Sequence, residues 1–244
     1  MENKPIYFNY IEKILKQAFE TQSEMIMQIA EKMASTIQDD HLIYVFGAGH
    51  AGMIAEEMTY RAGSLVPVVP IYGPGLTLQT RPATLETQIE RLSGYAPLLL
   101  DASGITSQDM LIIHSNSGRN AVAIDMAEEA QLRGISVIAL TSVKHSGSVS
   151  SRHPKGYKLM DLADFVIDNC GVIGDAVVPI GNSSSGATST VVGAALMNAL
   201  IVETAQILLS LGVEPPLFRS ANLDGSSENN QRWMDHYGKR LTYL

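Results

Sequence analysis

The sequence predicts an α/β fold, a parallel sheet with helices on both faces behind one long leading helix, and three observations carry this reading. Strand-like and helix-like segments alternate from residue 41 onward. The strand-like runs are apolar throughout rather than alternating, as strands buried on both faces are. A single amphipathic stretch of helical period precedes them all.

Taken in order, Ile11, Ile14, Leu15, Ala18, Phe19, Met25, Ile26, Ile29, Ala30, Met33 and Ile37 recur at helical spacing, which predicts one helix over Tyr7–Gln38. So long a helix before an α/β body packs on a partner as well as on its own core. His41–Phe46 is the first strand, closed by a glycine loop, and Gly52–Ala62 is a helix. Val66–Ile71 is the second strand, ended by Gly73-Pro74-Gly75, and Ala83–Ser93 is weakly helical. Met110–His114 is the third strand, Asn120–Arg133 a helix, and Ile135–Thr141 the fourth strand. Either Phe165–Ile167 or Ala176–Pro179 supplies a fifth. Ala187–Leu209 is a mostly apolar helix and Glu228–Arg240 a polar one. The organisation expected is a leading helix over 1–40, a body over 41–212 and an extension over 213–244.

At 244 residues, 45% hydrophobic and 17% charged, the chain suits one large domain, and nothing in its middle reads as a linker. A net charge of −8 excludes nucleic acid and anionic membrane as main partners, while a pocket's local field still admits a small anion. The lone Cys170 has no intramolecular disulfide partner and reads as an inert, buried thiol. Met1–Tyr10 has no secretory pattern. The longest apolar stretch, Val191–Val202, is broken by Asn198 and ended by Glu203, short of the roughly 20 residues a membrane span needs. The expectation is a cytoplasmic protein that does not cross a membrane.

Three loops hold the chemistry. Gly47-Ala48-Gly49-His50-Ala51-Gly52 follows the first strand, where backbone N–H groups at a helix start suit an anion. A tight turn with no ligand explains the same glycines. The dinucleotide reading needs an acidic residue about 20 positions on, and the second strand ends without one. Ser115-Asn116-Ser117-Gly118-Arg119-Asn120 sits between the third strand and a helix. Two hydroxyls, a glycine and free amides, with Arg119 adding charge, form a phosphate cradle that needs no metal. Ser183-Ser184-Ser185-Gly186-Ala187-Thr188-Ser189-Thr190 opens the apolar helix, and its hydroxyls suit either a ligand or helix capping. No Asp or Glu lies between Glu129 and Asp161, so Arg133, Lys144, His145, Arg152, His153, Lys155 and Lys158 form either a positive island or a solvated loop. The six histidines are scattered, so neither a metal site nor a cofactor is indicated.

The segments VFGAGHAGMIAEEMTYRAG (45–63), IIHSNSGRNAVAIDMAEEAQLRGISVIALTS (112–142) and SSSGATSTVVGAALMNAL (183–200) together resemble the SIS (sugar isomerase) phosphosugar-binding domain. The resemblance covers about residues 41–212, and with RSANLDGSSENN (219–230) extends to a bacterial branch labelled phosphoheptose isomerase-like. It implies a three-layer αβα sandwich on a five-stranded parallel sheet, a homodimer or homotetramer, and a phosphorylated sugar or amino sugar as ligand. It makes Ser115 and Ser117, with Gly118, Arg119 and Asn120, the phosphate site. Gly47, Gly49, Ser184, Ser185 and Thr188 become sugar contacts. The family's A-E-E run recurs as Ala55-Glu56-Glu57 and makes Glu57 the catalytic base of an aldose–ketose isomerase, with His50 handling a hydroxyl proton. Glu56 and Glu57 point about 100° apart on a helix, so one of them faces the pocket, and Glu57 is expected there. Asn120 and Ala51 replace hydroxyl residues common in the family, and no histidine occurs in Ala187–Leu209. Two other readings stay open: a sugar-phosphate sensor without catalysis, and an etherase or lyase drawing on two of Glu56, Glu57, Glu86 and Glu90.

Overall fold

In the computed structural model, which describes residues 4–244, helix α1 (Ile6–Gln38) starts directly after Pro5 and stops where Asp40 takes a left-handed conformation, φ 62°. The chain then runs β1 (Ile43–Gly47), a 3-10 turn (Gly49–Gly52), α2 (Met53–Met58), β2 (Val68–Ile71), α3 (Ala83–Ile89) and α4 (Ala96–Ser103). Next come β3 (Met110–His114), α5 (Ala121–Leu132), β4 (Ser136–Thr141), α6 (Val143–Ser148), α7 (Leu159–Leu162) and β5 (Phe165–Asp168). A hairpin of β6 (Ala176–Ile180) and β7 (Ser183–Ala187) leads to α8 (Ser189–Ser210) and α9 (Ser226–Tyr237).

Five strands form one parallel sheet in the order β2-β1-β3-β4-β5. Their side chains alternate between two dry layers. Ile43, Val45, Val68, Met110, Ile112, Ile138, Leu140 and Ile167 meet α1, α2 and α8. Tyr44, Phe46, Val69, Ile71, Leu111, Ile113, Val137 and Ala139 meet α4, α5 and α9. Both faces are apolar, which is why period two is invisible in the sequence. Burying a Leu, Ile or Phe side chain in either layer contributes about 1.5–3 kcal/mol.

Three elements differ from expectation. The fifth strand is Phe165–Asp168, whereas Ala176–Ile180 pairs antiparallel with Ser183–Ala187, so the serine run is a strand and not a loop. The helix expected over Gly52–Ala62 ends at Met58, because Thr59 is extended, with φ −108° and ψ 137°, and returns its hydroxyl to the Ala55 carbonyl. Helix α4 went unread; Pro97 opens it and Gly104, at φ 75°, closes it. The segment after α8 pairs back on its own chain, where the Val66 amide donates to Pro216 and that of Phe218 to Ser64.

Helix α8 is long and apolar enough to cross a membrane by length and composition, yet it is a core helix. It buries Val192, Leu196, Met197, Leu200, Ile201 and Leu208 against α1 and the sheet, and leaves Val191, Val202 and Leu209 exposed. Gly193 lets it sit close, since a Cβ there would stand 3.3 Å from both Ile54 Cδ1 and Leu140 Cδ2. Its N-terminus is capped from a distance. Asp175 Oδ1 accepts from the amides of Thr188 (3.0 Å) and Ser189 (2.7 Å), and Oδ2 from the Ser189 hydroxyl (2.8 Å). Burial pushes the Asp175 carboxyl up, and the bonds from Ser189 and Thr188 more than reverse it, holding it below the usual carboxylate range. At the other end Asp40 joins α1 to the C-terminal segment, accepting from His236 Nε2 (2.9 Å) and the Arg240 guanidinium (3.0 Å). Partial burial raises its carboxyl less than Arg240 and His236 lower it.

Two outcomes follow from these caps. Asp175→Ala costs about 1–2 kcal/mol, as loss of a helix cap does, or a fall in Tm of about 4 °C for a chain of this size. Since a depressed carboxyl stabilises above its unfolded pKa of about 3.9 and stops doing so as pH falls through its lower folded value, thermal unfolding of the two proteins converges in strong acid. Asp40→Asn costs no more than about 1 kcal/mol, as half-exposed ion pairs do. Hydrogen exchange then shows α9 opening faster while α1 is unchanged.

Candidate functional site

The strand order reverses between β1 and β3, and in an open parallel sheet the loops leaving such neighbours diverge and open a crevice at the strands' carboxyl ends. A cavity of about 310 Å³ lies there. Loop 47–52 supplies Ala48, Gly49, His50 and Ala51; loop 114–120 supplies His114, Ser115, Asn116, Ser117 and Asn120. Helix α3 and its end add Glu86 and Glu90, and His145, Asp175 and Ser189 complete the wall. Larger clefts lie elsewhere, of about 520 Å³ beside Lys32 and Asp164, about 410 Å³ among Tyr72, Tyr95 and Tyr243, and about 360 Å³ among His41, Asp109 and Arg240.

The loop after β3 is fixed before any ligand arrives. The Asn116 carbonyl accepts from the Ser142 amide (3.1 Å) and the Thr141 hydroxyl (3.2 Å), and its side chain accepts from Asn169 (3.0 Å). Arg152 donates its amide to the Arg119 carbonyl (2.8 Å) and its guanidinium to Asn120 Oδ1 (2.8 Å), and the Leu159 amide binds the Gly118 carbonyl (2.9 Å). Gly118 takes φ 58°, a left-handed turn that favours glycine. Its amide is not offered outward, because it donates to Ser115 Oγ (3.2 Å). The amides of Ser117, Arg119 and Asn120 and the Ser117 hydroxyl find no acceptor among the described residues. They stand at the start of α5, where the helix dipole favours an anion.

The loop after β1 is built differently. A Cβ on Gly47 would lie 2.5 Å from the Ala51 backbone, so that glycine permits a crossing of the chain and does not line the cavity. Gly49 does line it, at φ 58°, but its amide donates to Leu76 (2.8 Å) and that of Ala51 to Ala48 (3.1 Å). The glycine loop is a tight turn in which the Gly49 and Ala51 donors are occupied. His50 is exposed at its rim.

Acid and base groups face the cradle. Glu86 packs on Gly49, and its Oε1 is buried with no partner among the described residues. Burial pushes its carboxyl above the usual range, against the lowering effect of Thr87 and His50. Glu90 is raised by burial and by Glu86, and lowered by Asn120, Arg91 and Arg152. His114 is enclosed, with Nδ1 3.0 Å from the Ala51 carbonyl, and burial pushes its imidazole down to about 4. His145 is lowered by burial, against the pull of Asp175.

The structure relocates several expected site residues. Ser184 and Ser185 are exposed on β7, and Thr188 is buried with its hydroxyl on Asp175, so the third loop caps α8 and its anion position is already filled. Glu57 does not line its own chain's cavity; it pairs with Arg61 and accepts from Asn198 (3.1 Å). Glu56 is exposed and also outside. Arg119 reaches Ser150 (3.4 Å) at the edge. The positive island is divided, with Lys155 on Glu128, Lys158 on the Ser146 carbonyl and Arg152 on Asn120. Glu86, Glu90, His114, His145 and Asp175 emerge as the lining that motif reading passed over as a set. Asp125, Glu128 and His153 bring three ligand atoms within 4.8 Å of one another. The Lys155 amide donates to His153 Nδ1 (3.4 Å), so Nε2 carries the proton it gives to Asp125 (2.8 Å) and has no lone pair for a metal.

Known proteins agree with this architecture. Residues 6–142 match the family described as SIS domain. A UPF0309 protein of Shouchella clausii is 41% identical over 240 residues, covering 98% of each chain. The structure of a phosphoheptose isomerase from Francisella tularensis superposes with a TM-score of 0.54 at 19% identity, over 82% of this chain and 95% of that one. The Vibrio vulnificus NanR protein complexed with ManNAc-6P gives 0.51 at 17% identity, over 95% of this chain and 67% of that one. With a parallel sheet of this order, a serine loop on its third strand and more than half of its length matched, the chain belongs to the SIS domain family.

Proposed function

We propose that the protein binds a phosphorylated sugar in this cavity and interconverts its aldose and ketose forms. One observation carries the reading: open amides and hydroxyls at the start of α5 share a cavity with the half-buried carboxylate of Glu86, whose Oε1 has no partner among the described residues. The phosphate rests on Ser115, Ser117 and the amides of Ser117, Arg119 and Asn120. Fixed there, the open-chain sugar extends toward Glu86. Glu86 takes the proton from the carbon beside the carbonyl, the electron pair closes the C–C double bond, and the carbonyl oxygen gains a proton to give an enediol. Return of the proton to the other carbon completes the isomerisation, with His50 moving the proton between the two oxygens. Glu86 thus takes the part that the motif assigned to Glu57. The names of two structural neighbours, a phosphoheptose isomerase and a protein complexed with ManNAc-6P, support the ligand class.

A second reading, binding without turnover, is favoured by the commitment of Glu57 to Arg61 and by the lack of a histidine on α8. As the cell's sugar phosphates are cytoplasmic, that compartment is part of the proposal. So is a dimer or larger assembly: Phe19 and Met27 on α1 and Val191, Val202 and Leu209 on α8 are exposed apolar groups that a second subunit would cover.

Pentose, hexose, heptose and N-acetylamino-sugar phosphates, screened by thermal shift and incubated in deuterated water, test the reading by NMR. Deuterium at C2 is expected for one of them, and binding without exchange would replace catalysis by sensing. Ser117→Leu loses binding at least tenfold. Glu86→Gln keeps binding and loses turnover by about 10²–10⁴-fold, the usual worth of a general base, while Glu57→Gln stays near wild type; the reverse pattern returns the role to Glu57. Because the Glu86 carboxyl is raised and a base must be ionised, activity climbs with pH through a midpoint above the ordinary glutamate value.

A further inference from the structure

The floor of the cavity carries a group that neither phosphate binding nor proton transfer uses. His114 ends β3 opposite Gly47 of β1, 1% exposed, and lines the cavity. A carbonyl oxygen only accepts, so Nδ1, 3.0 Å from the Ala51 oxygen, carries the proton, and Nε2 is a bare lone pair. Nε2 is buried and has no donor among the described residues. Folded proteins rarely leave such an acceptor unmet. We propose that His114 Nε2 accepts a hydrogen bond from a sugar hydroxyl and thereby selects, among phosphorylated ligands, polyhydroxylated chains with an O–H over the floor of the pocket. This inference rests on the sugar-phosphate reading of the cavity.

Four of the other polar groups lining the cavity lack this selectivity. The hydroxyls of Ser115 and Ser117 rotate to donate or accept, and Glu86 and Glu90 change character when they titrate. His114 has one fixed role. Its ring is held at Nδ1, and burial keeps it neutral well below physiological pH. A ligand with a carbonyl, an ether oxygen or a bare carbon at that place leaves the lone pair unmet, and sites built to bind a hydroxyl reject analogues without one. In the free protein, water supplies the donor.

The test uses the full chain with D-glucitol 6-phosphate and inorganic phosphate as probes. In ¹⁵N-histidine spectra between pH 5 and 8, Nε2 of His114 is expected to be unprotonated throughout. Its resonance is expected to shift with glucitol 6-phosphate and not with inorganic phosphate. By calorimetry, His114→Phe lowers affinity for glucitol 6-phosphate about tenfold, the scale of one buried hydrogen bond, and leaves inorganic phosphate unchanged. His114→Gln, which restores an acceptor, recovers part of the loss. A proton on Nε2 in the free protein overturns the proposal, as does an unchanged preference for glucitol 6-phosphate in the Phe variant. If the Phe variant does not fold, the spectra of the wild-type protein and the Gln variant decide alone. Failure of the wild type to bind either probe removes the sugar-phosphate reading itself, a result distinct from binding that ignores His114.

Discussion

The sheet has two dry faces, and nearly everything polar about this protein follows from that constraint. Five parallel strands packed against helices on both sides leave no strand position for a polar side chain except at the ends. His114 and Thr141, both the last residues of their strands, and Asn169, just past β5, place buried polar groups at the carboxyl edge. The reversal of strand order between β1 and β3 then separates two loops at that edge. Polarity pushed out of the sheet and space opened by topology coincide in one cavity.

Two long helices start at this edge, and their N-termini have opposite fates. The N-terminus of α8 is closed by Asp175, a carboxylate of its own chain, whereas that of α5 has only the neutral Asn120 at its cap. The difference bears on where the proposed anion would sit, since each helix offers a similar dipole but that of α8 already faces a carboxylate. It also reverses the meaning of the serine-rich sequences. SSSGATST holds more hydroxyls than SNSGRN, yet all but that of Thr190 lie on a hairpin or on Asp175.

Most of the sheet was legible because uninterrupted apolar runs bounded by glycine are hard to mistake; Met110–His114 was read to the residue. What stayed hidden depended on contacts between distant segments. Ser183–Ala187 becomes a strand only through its pairing with Ala176–Ile180, and no propensity in a serine run announces it. Helix α4 is too short, at 8 residues, for periodicity to show, although Pro97 and Gly104 mark its ends. Glu57 carries the motif, but it pairs with Arg61, four residues on, and does not line its own chain's cavity. Glu86 carries no motif, and reaches the cavity because the excursion between β2 and β3 folds α3 over Gly49. His114 sits inside an apolar strand, where a histidine reads as core; only the carbonyl on its Nδ1 shows that its other nitrogen is free.

The cavity's electrostatics also reconcile a chain of net charge −8 with an anionic ligand. Lys155 and Lys158 after β4 are matched locally, so at the proposed site a phosphate would rest chiefly on oriented neutral dipoles, with Arg119 and Arg152 at the edge. Neutral donors do not compensate nearby carboxylates as a lysine would. Glu86 and Glu90 therefore keep the upward shift that burial gives them. A lysine in the cradle would bind phosphate more tightly and lower both carboxyls, weakening the base that the proposed isomerisation requires. Under the proposed function, holding the anion with amides and hydroxyls keeps the two tasks of the cavity electrostatically separate while they sit side by side.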